Sequence, residues 1–219
     1  MARSDTADES VFYDAFTTIT KAINEFRTSD DLFAVVITDA IRIGVTVAVL
    51  AAVLYGVTGV WPPFAAVESG SMQPTLERGD LVITVDEEKS APSAAHGDTG
   101  VVTARAGERA DYRTFGGPGN VILYSANGTG QTIIHRARFW VAEGENWYHD
   151  ANMEYIKNAS NCTELQYCPA PHAGFITKGD ANRHYDQVTG ISEPVKPEWI
   201  ISEAKYNAPS LGYLRLLLF

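Results

Sequence analysis

The run Glu68-Ser69-Gly70-Ser71-Met72-Gln73-Pro74-Thr75-Leu76 sets two serines in a compact turn rich in Gly and Pro. A serine hydroxyl is a weak nucleophile at neutral pH unless a base lies within hydrogen-bond reach. The candidate bases are five histidines and a few lysines. His135 stands out because Thr132-Ile133-Ile134-His135-Arg136-Ala137 reads as a strand, from which a side chain projects rigidly. A lone strand histidine is more often a plain core or surface residue; His96, His149, His172 and His184 fall in loops or turns and have weaker claims. A histidine base also needs a carboxylate to hold its tautomer and stabilise its protonated form. Asp180 and Asp186 offer two within Thr177–Asp186, a stretch that alone would read as a turn bonding its own backbone.

These groups need a scaffold, and 219 residues suffice for one sizeable domain plus appendages. With 27 Asp+Glu against 17 Lys+Arg, the formal net charge of −10 argues against a nucleic-acid surface, which needs cations to displace counterions from phosphates. An acidic chain poor in lysine suits solubility in concentrated salt, although solubility in general explains the charge nearly as well.

Just upstream of the serine turn, Ile43 to Val60 runs for 18 positions without a charge, and the apolar Leu32–Ile41 stretch precedes it. That length predicts a bilayer-spanning helix, with Trp61 at its interface. A cleaved signal peptide fits poorly because the preceding segment is long and acidic. The expected organisation is a cytoplasmic segment over 1–40, a transmembrane helix over 41–61, an extracytoplasmic β-domain over 62–209 and an apolar tail over 210–219 that is too short to span. Arg27 and Arg42 precede the span and no basic residue follows it until Arg78, which favours an N-terminus inside the cell. Ser10–Thr28 has apolar residues at helical spacing and predicts an amphipathic or lead-in helix.

Beyond residue 62, strand signals dominate: Leu81–Val85, Thr99–Thr103, Val121–Ser125, Thr132–Trp140, Asn146–His149, Phe175–Thr177 and Trp199–Lys205. Asn127-Gly128-Thr129-Gly130 predicts a hairpin turn and Gly144 a second. The expected fold class is mainly β. Cys162 and Cys168, the only cysteines, are a candidate disulfide in an oxidising compartment; two free thiols are an equal reading, and zinc with His172 and His184 a distant one. The sequons at Asn127, Asn158 and Asn161, candidates for N-glycosylation, all lie beyond the span.

Four blocks together resemble type I signal peptidases, membrane-anchored serine proteases that remove signal peptides from exported proteins. Ser69–Leu76 looks like their nucleophile box, Gly79-Asp80-Leu81-Val82 like the strand after it, Ile134-His135-Arg136 like the base box, and Gly179-Asp180 through Asp186 like the acidic box. Bacterial members carry Lys where this chain has His135. The histidine resembles the archaeal and endoplasmic-reticulum branch, and the acidic composition points to a salt-loving archaeal source. Ala181 and Tyr185 depart from the usual Asn and Asp of the acidic box.

The resemblance implies a signal-peptidase-like β-domain anchored by an N-terminal transmembrane helix in the cell membrane, single-pass, with the N-terminus cytoplasmic. It implies Ser71 as nucleophile, His135 as base and Asp186 as its partner, with Asp180 a second essential carboxylate; those two roles are exchangeable on sequence alone. Ser69 and the Ser71 N–H would form the oxyanion hole, and Met72 and Ile134 would line the substrate side. No cofactor and no metal are expected. The implied partners are signal peptides of secreted preproteins, the lipid bilayer and the protein translocation channel. Rival readings are a self-cleaving Ser–Lys enzyme using Lys178, an inactive or accessory signal-peptidase paralogue, and a non-catalytic membrane-anchored β binding domain.

Overall fold

The computed structural model describes residues 17, 18, 20, 21, 32–86 and 92–214. The chain divides into two units, Met1–Val53 and Leu54–Phe219. Helix α1 runs over Leu32–Thr58, starting before the expected residue 41 and ending before 61. Within it, Val35–Thr58 holds an 18-residue window with a mean hydropathy of 2.1 and no residue buried in protein, while Thr58 at its end is buried. At about 1.5 Å per residue this stretch exceeds the ~30 Å hydrocarbon core, so it is long and apolar enough to cross a membrane. Two of its threonines bond back along the helix: Thr46 donates to the Arg42 carbonyl at 2.8 Å and Thr58 to that of Leu54 at 2.7 Å. Most of Ser10–Thr28, and residues 215–219 of the apolar tail, lie outside the described residues.

The second unit is built on one six-stranded antiparallel sheet. Its strands are β1 (Phe64–Ala66), β2 (Leu81–Val85), β5 (Val121–Ser125), β6 (Thr132–Val141), β7 (Gly174–Lys178) and β8 (Ile200–Ala208). They are ordered β1-β2-β8-β5-β6-β7. A small hairpin of β3 (Arg113–Thr114) and β4 (Gly117–Pro118) lies outside this sheet. The β5–β6 hairpin turns through Ala126–Gly128, where Asn127 and Gly128 both take positive φ, the conformation that Asn-Gly adopts readily. The unit is mainly β.

Two expected strands do not form. Thr99–Thr103 is irregular because side chains take backbone groups that a strand partner would: Asn120 Oδ1 accepts the Val102 N–H at 2.7 Å and Thr99 Oγ1 the Val101 N–H at 3.3 Å, while Thr103 Oγ1 accepts the Ala106 N–H of the next element. Thr103 thereby caps helix α2 (Ala104–Ala110). The expected hairpin around Gly144 fails for a similar reason. Asn146 accepts the Tyr148 N–H and starts a 3₁₀ turn over Trp147–Asp150 instead.

Side-chain alternation along the strands sorts the core. Ile122, Tyr124, Ala137 and Phe175 join Val101 and Val195 in one buried cluster. Val121, Leu123, Val82 and Ala204 join Met72 and Leu76 of the serine turn in another. A third cluster gathers Phe139, Val141 and Ile176 under the connection between β6 and β7, with Trp147 and Ile156 from that connection. Cys162 and Cys168 form a disulfide within it. Asn127, Asn158 and Asn161 are exposed, although Asn127 Oδ1 accepts the Glu193 N–H at 2.9 Å and Asn161 bonds Glu164 and Thr163.

Candidate active site

The serine turn is anchored by its apolar residues. Met72 and Leu76 are buried while Ser69 is exposed and Ser71 half-buried. The Gln73 N–H donates to the Gly70 carbonyl and the Leu76 N–H to that of Met72, closing two successive turns. The Ser69 and Ser71 hydroxyls lie 3.1 Å apart, and the Ser71 N–H points at Ser69 Oγ from 3.5 Å. The Ser69 hydroxyl and the Ser71 N–H thus lie together beside the Ser71 hydroxyl, two donors of the kind that a developing oxyanion requires.

His135 is buried on β6, opposite Ile122 of β5. Its Nδ1 lies 2.7 Å from Asp186 Oδ2. The same oxygen accepts from the Tyr124 hydroxyl at 2.9 Å, and Tyr124 Oη lies 3.2 Å from Thr177 Oγ1. Burial, reinforced by the neighbouring Asp186 charge, raises the Tyr124 pKa well above that of a free phenol, so the hydroxyl stays a donor. A carboxylate on Nδ1 leaves Nε2 as the working nitrogen.

Gly179 explains how Nε2 and the serine turn come together. A Cβ at this position would sit 2.5 Å from the Ser71 carbonyl oxygen, 2.8 Å from His135 Nε2 and 2.9 Å from Asn182 Nδ2. Only a residue without a side chain lets the three approach. The loop carrying it is pinned to the serine turn by the Ala181 N–H, which donates to the Ser71 carbonyl at 2.9 Å. Its other end enters the short helix α3 (Asp186–Thr189), whose first residue is the carboxylate facing His135.

Asp180 does not contact His135. Its carboxylate takes two hydrogen bonds from Arg136, at 2.9 and 2.7 Å, and one from Thr75 Oγ1 at 2.8 Å. Burial alone would raise its pKa, but the Arg136 hydrogen bonds and charge, with Thr75, hold it below the usual carboxylate value. Arg136 is itself 1% exposed and donates to the Thr114 and Gly119 carbonyls as well. Adjacent residues of a strand point to opposite faces, so His135 and Arg136 each draw one aspartate to its own side of β6.

Lys178 likewise faces away from His135, since it pairs with Arg136 across β6–β7. Its ammonium donates to the carbonyls of Gly179 and Asn182 at 2.8 and 2.6 Å and lies over the Tyr155 ring. Burial, then the Arg138 charge, lowers its pKa, but its hydrogens serve the loop backbone rather than a serine. Of the other histidines, His96 stacks on Trp140 and His172 bonds Glu193. Among the described residues no group of three His, Cys, Asp or Glu is placed to hold a metal ion.

A groove of about 700 Å³ opens in front of Ser71 and His135. Its walls are Ala65–Glu68, on and after β1, and Gln131–Ile134 at the start of β6, with Met72, Asn182 and Ile191. β1 is an edge strand bonded to β2, and β7 pairs with β6 only from Arg136 onward, so both walls carry open strand edges among the described residues. Met72 lines this groove and also accepts the Asp180 N–H on its sulfur at 3.4 Å.

The sequence singled out Ser69, Ser71, Met72, Ile134, His135, Asp180 and Asp186. It gave no role to Tyr124, nor to Thr75, Arg136 and Gly179, which stand inside the blocks that carry the resemblance. Arg136 had a readable signal, an arginine alternating with a histidine inside an apolar strand. Tyr124 had none, for in Val121–Ser125 it reads as one more strand aromatic. No protein-family model matches the chain, and no curated protein matches it.

Proposed function

We propose that this chain is a membrane-anchored serine endopeptidase of the signal-peptidase type. The observation that most supports it is the His135–Asp186 pair, which frees Nε2 beside the same glycine that touches the Ser71 backbone. In this reading His135 takes the Ser71 proton as the hydroxyl attacks the scissile carbonyl, then gives it to the leaving amine. Asp186 holds the tautomer and stabilises the imidazolium. The Ser71 N–H and Ser69 hydroxyl receive the oxyanion, a donor being worth about 3 kcal/mol of barrier.

The groove supports an extended peptide as substrate. Open edges on β1 and β6 offer backbone groups on both sides, as in strand addition. Ala65 and Ala66 beside Val67 leave shallow space, which favours small side chains near the scissile bond. The apolar helix of Val35–Thr58 ends shortly before β1, so the reading places the cut near a bilayer from which a signal peptide emerges. Phe64, Ile83 and Tyr206 occupy one cross-strand row and are exposed, an apolar surface suited to lipid.

The test is cleavage of a purified preprotein by the full chain in detergent or vesicles. Ser71→Ala and His135→Ala are each expected to lower the rate by about 10⁴-fold or more with folding unchanged. Undiminished cleavage by either variant overturns the mechanism. No cleavage by the unaltered chain of any preprotein bearing small residues before the cut would favour a binding role instead.

A further inference from the structure

Asp186 is fully buried, and only one of its oxygens is held: Oδ2 meets His135 and Tyr124, while Oδ1 has no hydrogen-bond partner. A carboxylate fixed through a single oxygen takes its position from its own backbone. That backbone is set by the preceding residue, Tyr185, and what grips Tyr185 is the connection between β6 and β7, residues 142–173.

The grip is extensive. Tyr185 is buried, and its ring meets Phe139, Trp147 and Tyr155 edge-on, with centroids 5.6, 6.3 and 5.4 Å away. Its hydroxyl accepts the Asn152 N–H at 3.1 Å, and its own N–H donates to the Tyr155 carbonyl. Lys157 reaches the Val188 carbonyl in the helix that Asp186 begins. The same connection contributes Trp147, Ile156 and Leu165 to the core in which Tyr185 sits, and the Cys162–Cys168 disulfide closes its far end. Tyr185 and Asp186 thus enter different clusters: one joins the connection's aromatic core, the other the His135 face.

We infer that Tyr185 is a positioning residue for Asp186, and that the disulfide-closed connection 142–173 acts through it to aim the His135 imidazole. The inference rests on the serine-peptidase reading for its effect on rate, but not for its effect on the His135–Asp186 pair. The connection is then part of the working apparatus rather than a decoration between strands.

Tyr185→Leu in the full chain keeps an apolar side chain but loses the edge-on ring contacts and the hydroxyl. It is expected to lower kcat by about 100-fold, the effect of roughly 1 Å of misplacement, with KM within about 2-fold. It should also shift or broaden the low-field Nδ1–H proton resonance of His135. Tyr185→Phe, which keeps the ring, should hold kcat within about 5-fold and retain the resonance. If Tyr185→Leu does not fold, Tyr155→Leu removes one of the rings packed edge-on against Tyr185 from a half-buried position, and is expected to lower kcat by about 5-fold with a smaller change in the same resonance. Wild-type kcat together with an unmoved resonance in the folded variant overturns the inference. If Ser71→Ala still cleaves, the protease reading fails, and the resonance alone decides whether Tyr185 sets the pair.

Discussion

The two aspartates at either end of the 180–186 loop have the same side chain and opposite surroundings. Asp180 is saturated: both oxygens bond the buried Arg136, and one also takes the Thr75 hydroxyl. Asp186 is buried more deeply yet has one oxygen unpartnered, and it faces a neutral-or-charged imidazole rather than a fixed cation. A carboxylate paired with a permanent guanidinium has nothing to respond to, so it serves as a fastener between the serine turn and β6. A carboxylate against a histidine can answer a change in that histidine's charge. In the proposed mechanism this difference gives Asp180 an architectural part and Asp186 a chemical one, and each assignment is open to attack.

The largest effect on rate should come from Asp186→Asn. An amide there cannot stabilise the imidazolium and favours the wrong tautomer, so kcat is expected to fall by about 10⁴-fold. The thermal unfolding midpoint should change little, because shape and the Tyr124 contact persist. A variant that loses stability but keeps most of its rate would reverse the assignment of the two aspartates.

Asp180→Asn should show the reverse balance. Removing the anion leaves Arg136 buried without a counter-charge, a loss of about 3 kcal/mol that denaturant unfolding would read. The rate should drop far less than for Asp186→Asn, through displacement of Thr75 and the serine turn. The pH dependence follows from the depressed pKa of Asp180. Its folded value lies below its unfolded value, so its contribution is fully present above the unfolded value of about 4 and is lost as pH falls through the folded one. The wild-type stability curve should therefore decline below about pH 4 more steeply than that of Asp180→Asn. Parallel acid limbs would mean that Asp180 is no fastener.

Local chemistry made much of this legible in the sequence, and tertiary packing hid the rest. The apolar run Ile43–Val60, the strands at Leu81–Val85 and Val121–Ser125, and the Asn127-Gly128 turn carry their signals within a few residues. The choice between Asp180 and Asp186 does not, because it depends on which face of β6 each end of the loop reaches. Alternation of His135 and Arg136 contained that answer once the loop's course was known. Thr99–Thr103 and Asn146–His149 misled because Asn120, Thr99 and Asn146 side chains occupy backbone groups that a strand would need. Gly179 reads as turn glycine in sequence; its need for bare backbone arises from Ser71 and His135, far away along the chain.

The smallest effect tests the last part of the comparison, that Asp186 is tuned through a single oxygen. Tyr124→Phe removes one of the two hydrogen bonds on Oδ2 without opening a cavity, and Thr177 keeps Gln187 Nε2 as a partner. The lost bond is worth about 1 kcal/mol, so kcat should fall by about 5-fold while KM stays put. The corresponding change at the other carboxylate, Thr75→Val, also removes one hydroxyl bond, but Arg136 still holds both Asp180 oxygens. It should leave kcat within about 2-fold and lower stability by about 1 kcal/mol. If the two variants lose rate equally, the aspartates are not divided between fastening and chemistry. A rate loss confined to Tyr124→Phe means that the phenol is part of what keeps Asp186 aimed at His135.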